Sequence, residues 1–140
     1  MNIETLQNPS AELFEELEEK ITVFNEERWE VKKKQPLAII IKGEGGELLA
    51  GASARTFGQW LLIENIWVDE TLRGQDLGSK ILAQLESAAI ARGCMIALLD
   101  TLNFQAKPFY EKFGYQVGWV QEAYPQTGCK YFMTKQLQIA

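Results

Sequence analysis

The sequence predicts a mixed α+β fold, with one central, mostly antiparallel sheet of six to seven strands flanked by about four helices. Three observations predict it. Apolar residues recur at intervals of three and four near the N-terminus and again between Asp76 and Arg92, the period of an amphipathic helix. Six short runs rich in aliphatic and aromatic residues are bounded by Gly-, Pro- or Asn-containing turns, the pattern of strands. The order, helical first and then β-β-β-α-β-α-β-β, mixes hairpins with crossovers. At 140 residues the chain suits a single domain, 1–140, with one core, and it carries no repeats, linkers or low-complexity tracts.

Each element has its own signal. Asn8-Pro9-Ser10 supplies a capping residue and a proline near a first helical turn. Leu13, Phe14, Leu17, Ile21 and Phe24 follow as one apolar stripe on a glutamate-rich segment. Either that helix runs on, or it breaks near Thr22–Asn25 and a second one resumes through Trp29 to Val31. Lys32–Lys34 reads as a solvated helix end favoured by the macrodipole, and Gln35-Pro36 ends the helical section. "LAIIIKG", "EGGE" and "LLAGASART" make a hairpin, and "FGQ" turns into a third strand, "WLLIENIWV". Leu77, Ile81, Leu82, Leu85, Ala88 and Ala89 share a face of the central helix, with Arg92 in its last turn and Gly93 as its stop. "CMIALLD" is wholly apolar until its last residue, which predicts a strand buried on both faces. "AKPFYEKFG" is a short helix ending on glycine, and "YQVGWVQ" and "KYFMTKQL" are late strands around "YPQTG".

Composition removes whole classes of chemistry. The chain has no histidine, so Ser-His-Asp and Cys-His units and histidine-bearing metal sites are excluded. Cys94 and Cys129 are too few for a zinc cage or a disulfide framework and read as reduced packing residues. No metal is expected. A formal charge of −5 argues against a general nucleic-acid binder. The longest apolar run, "PLAIII", is too short to span a bilayer, and "MNIETLQN" lacks the parts of a signal peptide. A cytoplasmic protein without membrane partners is the expectation.

The stretch "DETLRGQDLGSKIL" carries the functional signal. It places Arg73, Gly74 and Gly78 where a strand hands over to a helix. Such a junction presents unpaired amides at a helix N-terminus, where the macrodipole favours an anion. Glycine allows close approach of a phosphate, and arginine adds a charge-assisted contact. The alternative is that Gly78 merely permits tight helix–strand packing. A Walker A loop does not fit, because three residues rather than four separate the glycines and "SK" stands in reversed order; the dinucleotide G-x-G-x-x-G spacing is also absent.

At these residues the chain resembles the GNAT family of N-acetyltransferases, which move acetyl from acetyl-coenzyme A to an amine. The family loop, Arg or Gln, two residues, Gly, one residue, Gly or Ala, falls on Arg73, Gly74-Gln75, Asp76, Leu77 and Gly78. "NFQAKPFYEKFGY", Asn103 to Tyr115, is similar to the family's strand-end Asn and its Ala and Phe-Tyr helix. The likeness runs from about Leu37 to the C-terminus and more loosely over the N-terminal helices. One residue departs from it: Asp76 stands where a glycine is usual. A carboxylate there either repels a pyrophosphate by ~1 kcal/mol or more, or points outward in a first helical turn that favours it by ~0.3–1 kcal/mol; the second is preferred.

The resemblance implies a set of roles. Acetyl-CoA would be the cosubstrate, its pyrophosphate on the amides from Arg73 through Gly74, Gln75, Asp76, Leu77 and Gly78 to Ser79. Its pantetheine arm would pair with the backbone of Ile66, Trp67 and Val68, with Asn103 and Phe109 also toward the coenzyme. A backbone N–H near Trp67 or Val68 would hold the oxyanion. Tyr110 is the candidate proton donor to the departing thiolate, although its reference pKa of ~10 makes full transfer to a thiol of ~8.5 mildly uphill. Glu64 is the candidate base, with an outward structural glutamate as the alternative. Glu27, Trp29, Phe57, Trp60 and Tyr124 are candidates for an amine pocket. The expected reaction is direct attack by a primary amine of a small-molecule acceptor. Alternatives are a coenzyme A-binding module without turnover and a protein lysine or N-terminal acetyltransferase. The late strands also offer a route to a homodimer.

Overall fold

The computed structural model describes residues 1–31 and 33–139. It divides into two compact units, Met1–Lys32 and Lys33–Ala140. The first holds one helix, α1 (Ala11–Glu26). Ser10 is extended and its hydroxyl accepts from the Leu13 amide at 3.2 Å, so the capping signal is realised. The other end closes tightly. The Arg28 and Trp29 amides both donate to the Asn25 carbonyl at 2.8 Å, and the Arg28 guanidinium donates to the Phe24 carbonyl at 2.7 Å. The chain therefore leaves the helix at Glu26, and Trp29–Val31 is not helical. Lys32 lies outside the described residues. Lys33 and Lys34 do not end a helix but lead into the first strand, where the Lys34 ammonium lies 5.7 Å from the Phe57 ring centroid.

The second unit contains β1 (Gln35–Lys42), β2 (Leu48–Phe57), β3 (Trp60–Val68), α2 (Leu77–Ala91), β4 (Ile96–Leu102), α3 (Lys107–Lys112), β5 (Gln116–Glu122) and β6 (Cys129–Gln136). The described helices number three rather than about four, and the strands number six. The sheet runs β1-β2-β3-β4-β6-β5, and only the β3–β4 pair is parallel. One face carries the core. Ala50, Ala52 and Ala54 of β2, Leu61 and Ile63 of β3, Ala97 and Leu99 of β4 and Met133 of β6 are buried there with Ile81, Leu82, Leu85 and Ala89 of α2. The β2 alanines stand opposite Ile41, Ile39 and Leu37 in register, so large and small side chains alternate under the helix. Beyond the end of α2, the Arg92 guanidinium donates to Thr56 Oγ1 at 3.0 Å and to the Gln35 carbonyl at 3.3 Å. β4 buries one face, not two: Ala97, Leu99 and Thr101 are inside, Ile96 and Leu98 are half-buried and Asp100 is exposed.

Two irregularities of β3 position the site. Ser53 pairs with Asn65 and Ala54 with Ile63, so Glu64 is the extra residue of a β-bulge. Strict alternation from Leu61 and Ile63 would turn Trp67 inward. After the bulge it is Ile66 and Val68 that share a face with the buried Ala52 and Ala50, while Trp67 stays exposed. The parallel ladder with β4 also stops early, joining only Trp60–Leu62 to Ile96–Leu98. Beyond Leu62 the two strands part, while β4 stays paired with β6 to Leu102.

Candidate active site

The junction after β3 is shaped by its own short-range bonds. Asp69 accepts from the Thr71 amide at 2.9 Å and from the Thr71 hydroxyl at 2.7 Å, capping a 3₁₀ turn, Glu70–Leu72. Those bonds hold the Asp69 carboxyl below its usual range. Gly74 follows at φ +88° and Asp76 at φ +59°, both left-handed. That conformation favours glycine, and aspartate is among the few side chains that tolerate it. The Asp76 carbonyl receives the Lys80 amide at 3.1 Å and the Ser79 hydroxyl at 2.8 Å. The amides of Leu77, Gly78 and Ser79 precede the first α2 amide to close onto the helix and have no intrahelical acceptor.

These amides open on a cleft of about 300 Å³ lined by Val68, Arg73, Gly74, Asp76, Gly78, Ser79 and Phe109. A Cβ on Gly78 would come 3.4 Å from the Phe109 ring and 4.0 Å from Val68. Those are ordinary van der Waals distances, so packing against α3 does not by itself require glycine at position 78. Lys112 and Phe113 also line the cleft and were not signalled by the loop motif, because they arrive from α3.

A second cleft, of about 270 Å³, occupies the gap between the parted strands. Glu64 and Ile66 of β3 line one side, Asp100 and Thr101 of β4 the other, with Tyr110, Tyr124 and Lys130 around them. Tyr110 is 9% exposed and stacks edge-on with Phe109 and Tyr115, at centroid separations of 5.3 and 5.8 Å. Burial first, and the Asp100 charge second, push its phenol above the ordinary tyrosine value. The phenol is therefore kept in its protonated form. The Glu64 carboxylate lies 3.6 Å from Arg55 Nε. Gln105, another residue sequence reasoning passed over, accepts from the Leu102 amide at 2.7 Å and fixes the turn from β4 toward α3. The Thr101 hydroxyl accepts from the Ala106 amide at 3.2 Å in the same turn.

Other predicted residues stand apart. Asn103 lines neither cleft; its Oδ1 accepts from the Cys129 amide at 3.1 Å and ties the β4 end to the start of β6. Gln75 and the Trp67 side chain also line neither, although the Trp67 backbone lies on β3 between the two clefts. Phe57 and Trp60 flank the β2–β3 turn, at the opposite end of β3 from Val68, and Glu27 and Trp29 belong to the N-terminal unit. Of the three candidates for an amine pocket in the second unit, Tyr124 lines the second cleft. Among the described residues no three His, Cys, Asp or Glu side chains are grouped to hold a metal, and no helix is long and apolar enough to cross a membrane.

Comparison with known proteins adds independent findings. The sequence model of the acetyltransferase (GNAT) family matches residues 2–115. A blasticidin-S acetyltransferase from Streptomyces morookaense is 33% identical over 114 residues, covering 79% of this chain and 84% of its own. An acetyltransferase from Agrobacterium fabrum strain C58 is 31% identical over 115 residues, covering 82% and 84%. The crystal structure of an acetyltransferase from Bacillus cereus ATCC 14579 superposes with a TM-score of 0.84 at 28% identity, over 95% of this chain and 97% of that one.

Proposed function

The chain belongs to the acetyltransferase (GNAT) family, and on that premise we propose that its residues 1–140 act as one domain that transfers acetyl from acetyl-CoA to a primary amine of a small molecule. The observation that carries the reading is the placement of the two clefts at neighbouring positions along one strand. Val68 lines the first and Ile66 the second, so a ligand anchored at α2 is led directly into the gap between β3 and β4. The likeness to a blasticidin-S acetyltransferase supports a small-molecule acceptor.

The residues present fit the coenzyme. The amides of Leu77, Gly78 and Ser79, with the Arg73 and Lys112 side chains in the same cleft, suit its diphosphate, and Gly74 leaves open space beside them. The β3 edge from Ile63 to Val68, which no longer meets β4, offers backbone partners for the two amides of its pantetheine arm. Bound there, acetyl-CoA supplies the acyl group in activated form as a thioester.

The chain's own groups then have distinct tasks. Glu64, at the bulge, takes the acceptor's ammonium proton through water, leaving a nitrogen lone pair free to attack. A β3 amide at Trp67 or Val68 holds the oxyanion that forms. The Tyr110 phenol donates its proton to the departing sulfur and is reprotonated from the new amide nitrogen. Incubation with acetyl-CoA and a panel of small amines, with released thiol as readout, tests the reading. Thiol release above the amine-free background is expected for at least one amine; coenzyme binding without release for any amine would overturn it.

A further inference from the structure

We propose that Asp100 seats the positively charged nitrogen of the acceptor, which makes cationic amines the substrate class of the second cleft. The inference rests on the coenzyme reading above and adds the side on which the acceptor is recognised. Two carboxylates line that cleft, and they are not equivalent. Glu64 sits on the bulge with its charge offset by Arg55 at 3.6 Å. Asp100 makes no ion pair among the described residues, although Lys130 lines the same cleft. The Lys130 ammonium instead lies 4.4 Å from the centroid of the Tyr124 ring. Asp100 also stands across the gap from β3, on the β4 face away from the core. Its charge acts on Tyr110, whose phenol it helps to keep protonated. A carboxylate with no ion pair among the described residues, lining the same cleft as Tyr110 and the β3 edge proposed for the thioester, is where an incoming ammonium gains most from charge.

The test delivers a cation to that point without requiring the natural acceptor. S-(2-aminoethyl)-coenzyme A carries an ammonium two carbons beyond sulfur, and S-ethyl-coenzyme A is its neutral counterpart. Calorimetric titration of the full chain with each gives two dissociation constants. The wild type should prefer the aminoethyl analogue by about five- to tenfold, as a charge-assisted contact predicts. Asp100→Asn should abolish the preference while leaving the affinity for the ethyl analogue within about twofold. Glu64→Gln should retain most of the preference. No preference in the wild type, a preference that survives in Asp100→Asn, or one lost equally in Glu64→Gln would each overturn the assignment. Failure of both analogues to bind the wild type would overturn the coenzyme reading itself, and this assignment with it.

Discussion

On the proposed reading, Tyr110 carries the proton that the departing sulfur takes up. Because burial and Asp100 both raise its pKa, the protonated form is the one folding favours. The associated stability is fully present below the unfolded value of ~10 and is lost as pH rises through the higher folded value. Proton donation by Tyr110 should therefore impose no alkaline fall in kcat below about pH 10. Tyr110→Phe should lower kcat more than about tenfold, the range for general acid catalysis, with the coenzyme Kd unchanged by calorimetry; an unchanged kcat removes the role. Asp76 separates conformation from charge. Asp76→Ala should cost up to about 1 kcal/mol in urea unfolding, because alanine adopts the left-handed conformation less readily than aspartate does. Asp76→Gly should leave the coenzyme Kd within about threefold if the carboxylate points outward, whereas tightening of about tenfold would show that it repels the diphosphate.

At the scale of elements, the bulge and a part-buried polar cluster set the geometry. Without Glu64 the pairing of β3 with β2 becomes regular, and the bend that carries β3 away from β4 loses its cause. Deletion of Glu64 should leave a folded protein by circular dichroism with coenzyme affinity reduced more than about tenfold, since the strand edge is then no longer exposed. The cluster lies where α2 meets the start of β5 and the late strand β6. The Tyr115 hydroxyl donates to Glu86 at 2.8 Å, and the Lys135 ammonium donates to the other carboxylate oxygen at 2.8 Å. Tyr115 is 1% exposed, and burial with the Glu86 charge drives its phenol strongly upward. Tyr115→Phe should cost about 1.5–3 kcal/mol by urea unfolding, the range for a bond to a charged group. A loss near zero would mean that Lys135 alone satisfies Glu86.

At the scale of the whole molecule, the −5 charge bears on the two substrates in opposite ways. On the proposed reading, a negative field attracts a cationic acceptor and repels the coenzyme, which the local amides, Arg73 and Lys112 would hold against it. Raising ionic strength from about 0.02 to 0.5 M should lower kcat/KM for a cationic amine severalfold, because the Debye length shrinks below the reach of the field. Coenzyme association should not slow in parallel; an equal fall for both would place the governing charges in the diphosphate cradle.

Much of this was legible in residue order. The α2 stripe, the capping serine, the hairpin turns and the loop from Arg73 to Gly78 all report local conformation, and the backbone adopts it where the residue types demand it. The amide cradle belongs to this class, since a glycine at φ +88° and the N-terminus of a helix need nothing distant to form. The meeting of Tyr110, Glu64 and Asp100 does not belong to it. These residues come from α3, β3 and β4, and only the parting of β3 from β4 brings them around one cleft. The bulge that turns Ile66 and Val68 inward in place of Trp67 is likewise invisible to a period of two, because it is set by pairing with β2. The bond from the Cys129 amide to Asn103 and the place of Phe57 and Trp60 at the β2–β3 turn are also set by strand pairing rather than by local sequence. Sequence alone determined most of the elements and the glycine-bearing turn into α2, through short-range propensity; the tertiary structure decided which carboxylates and which tyrosine share a cavity, because that depends on strand register over tens of residues.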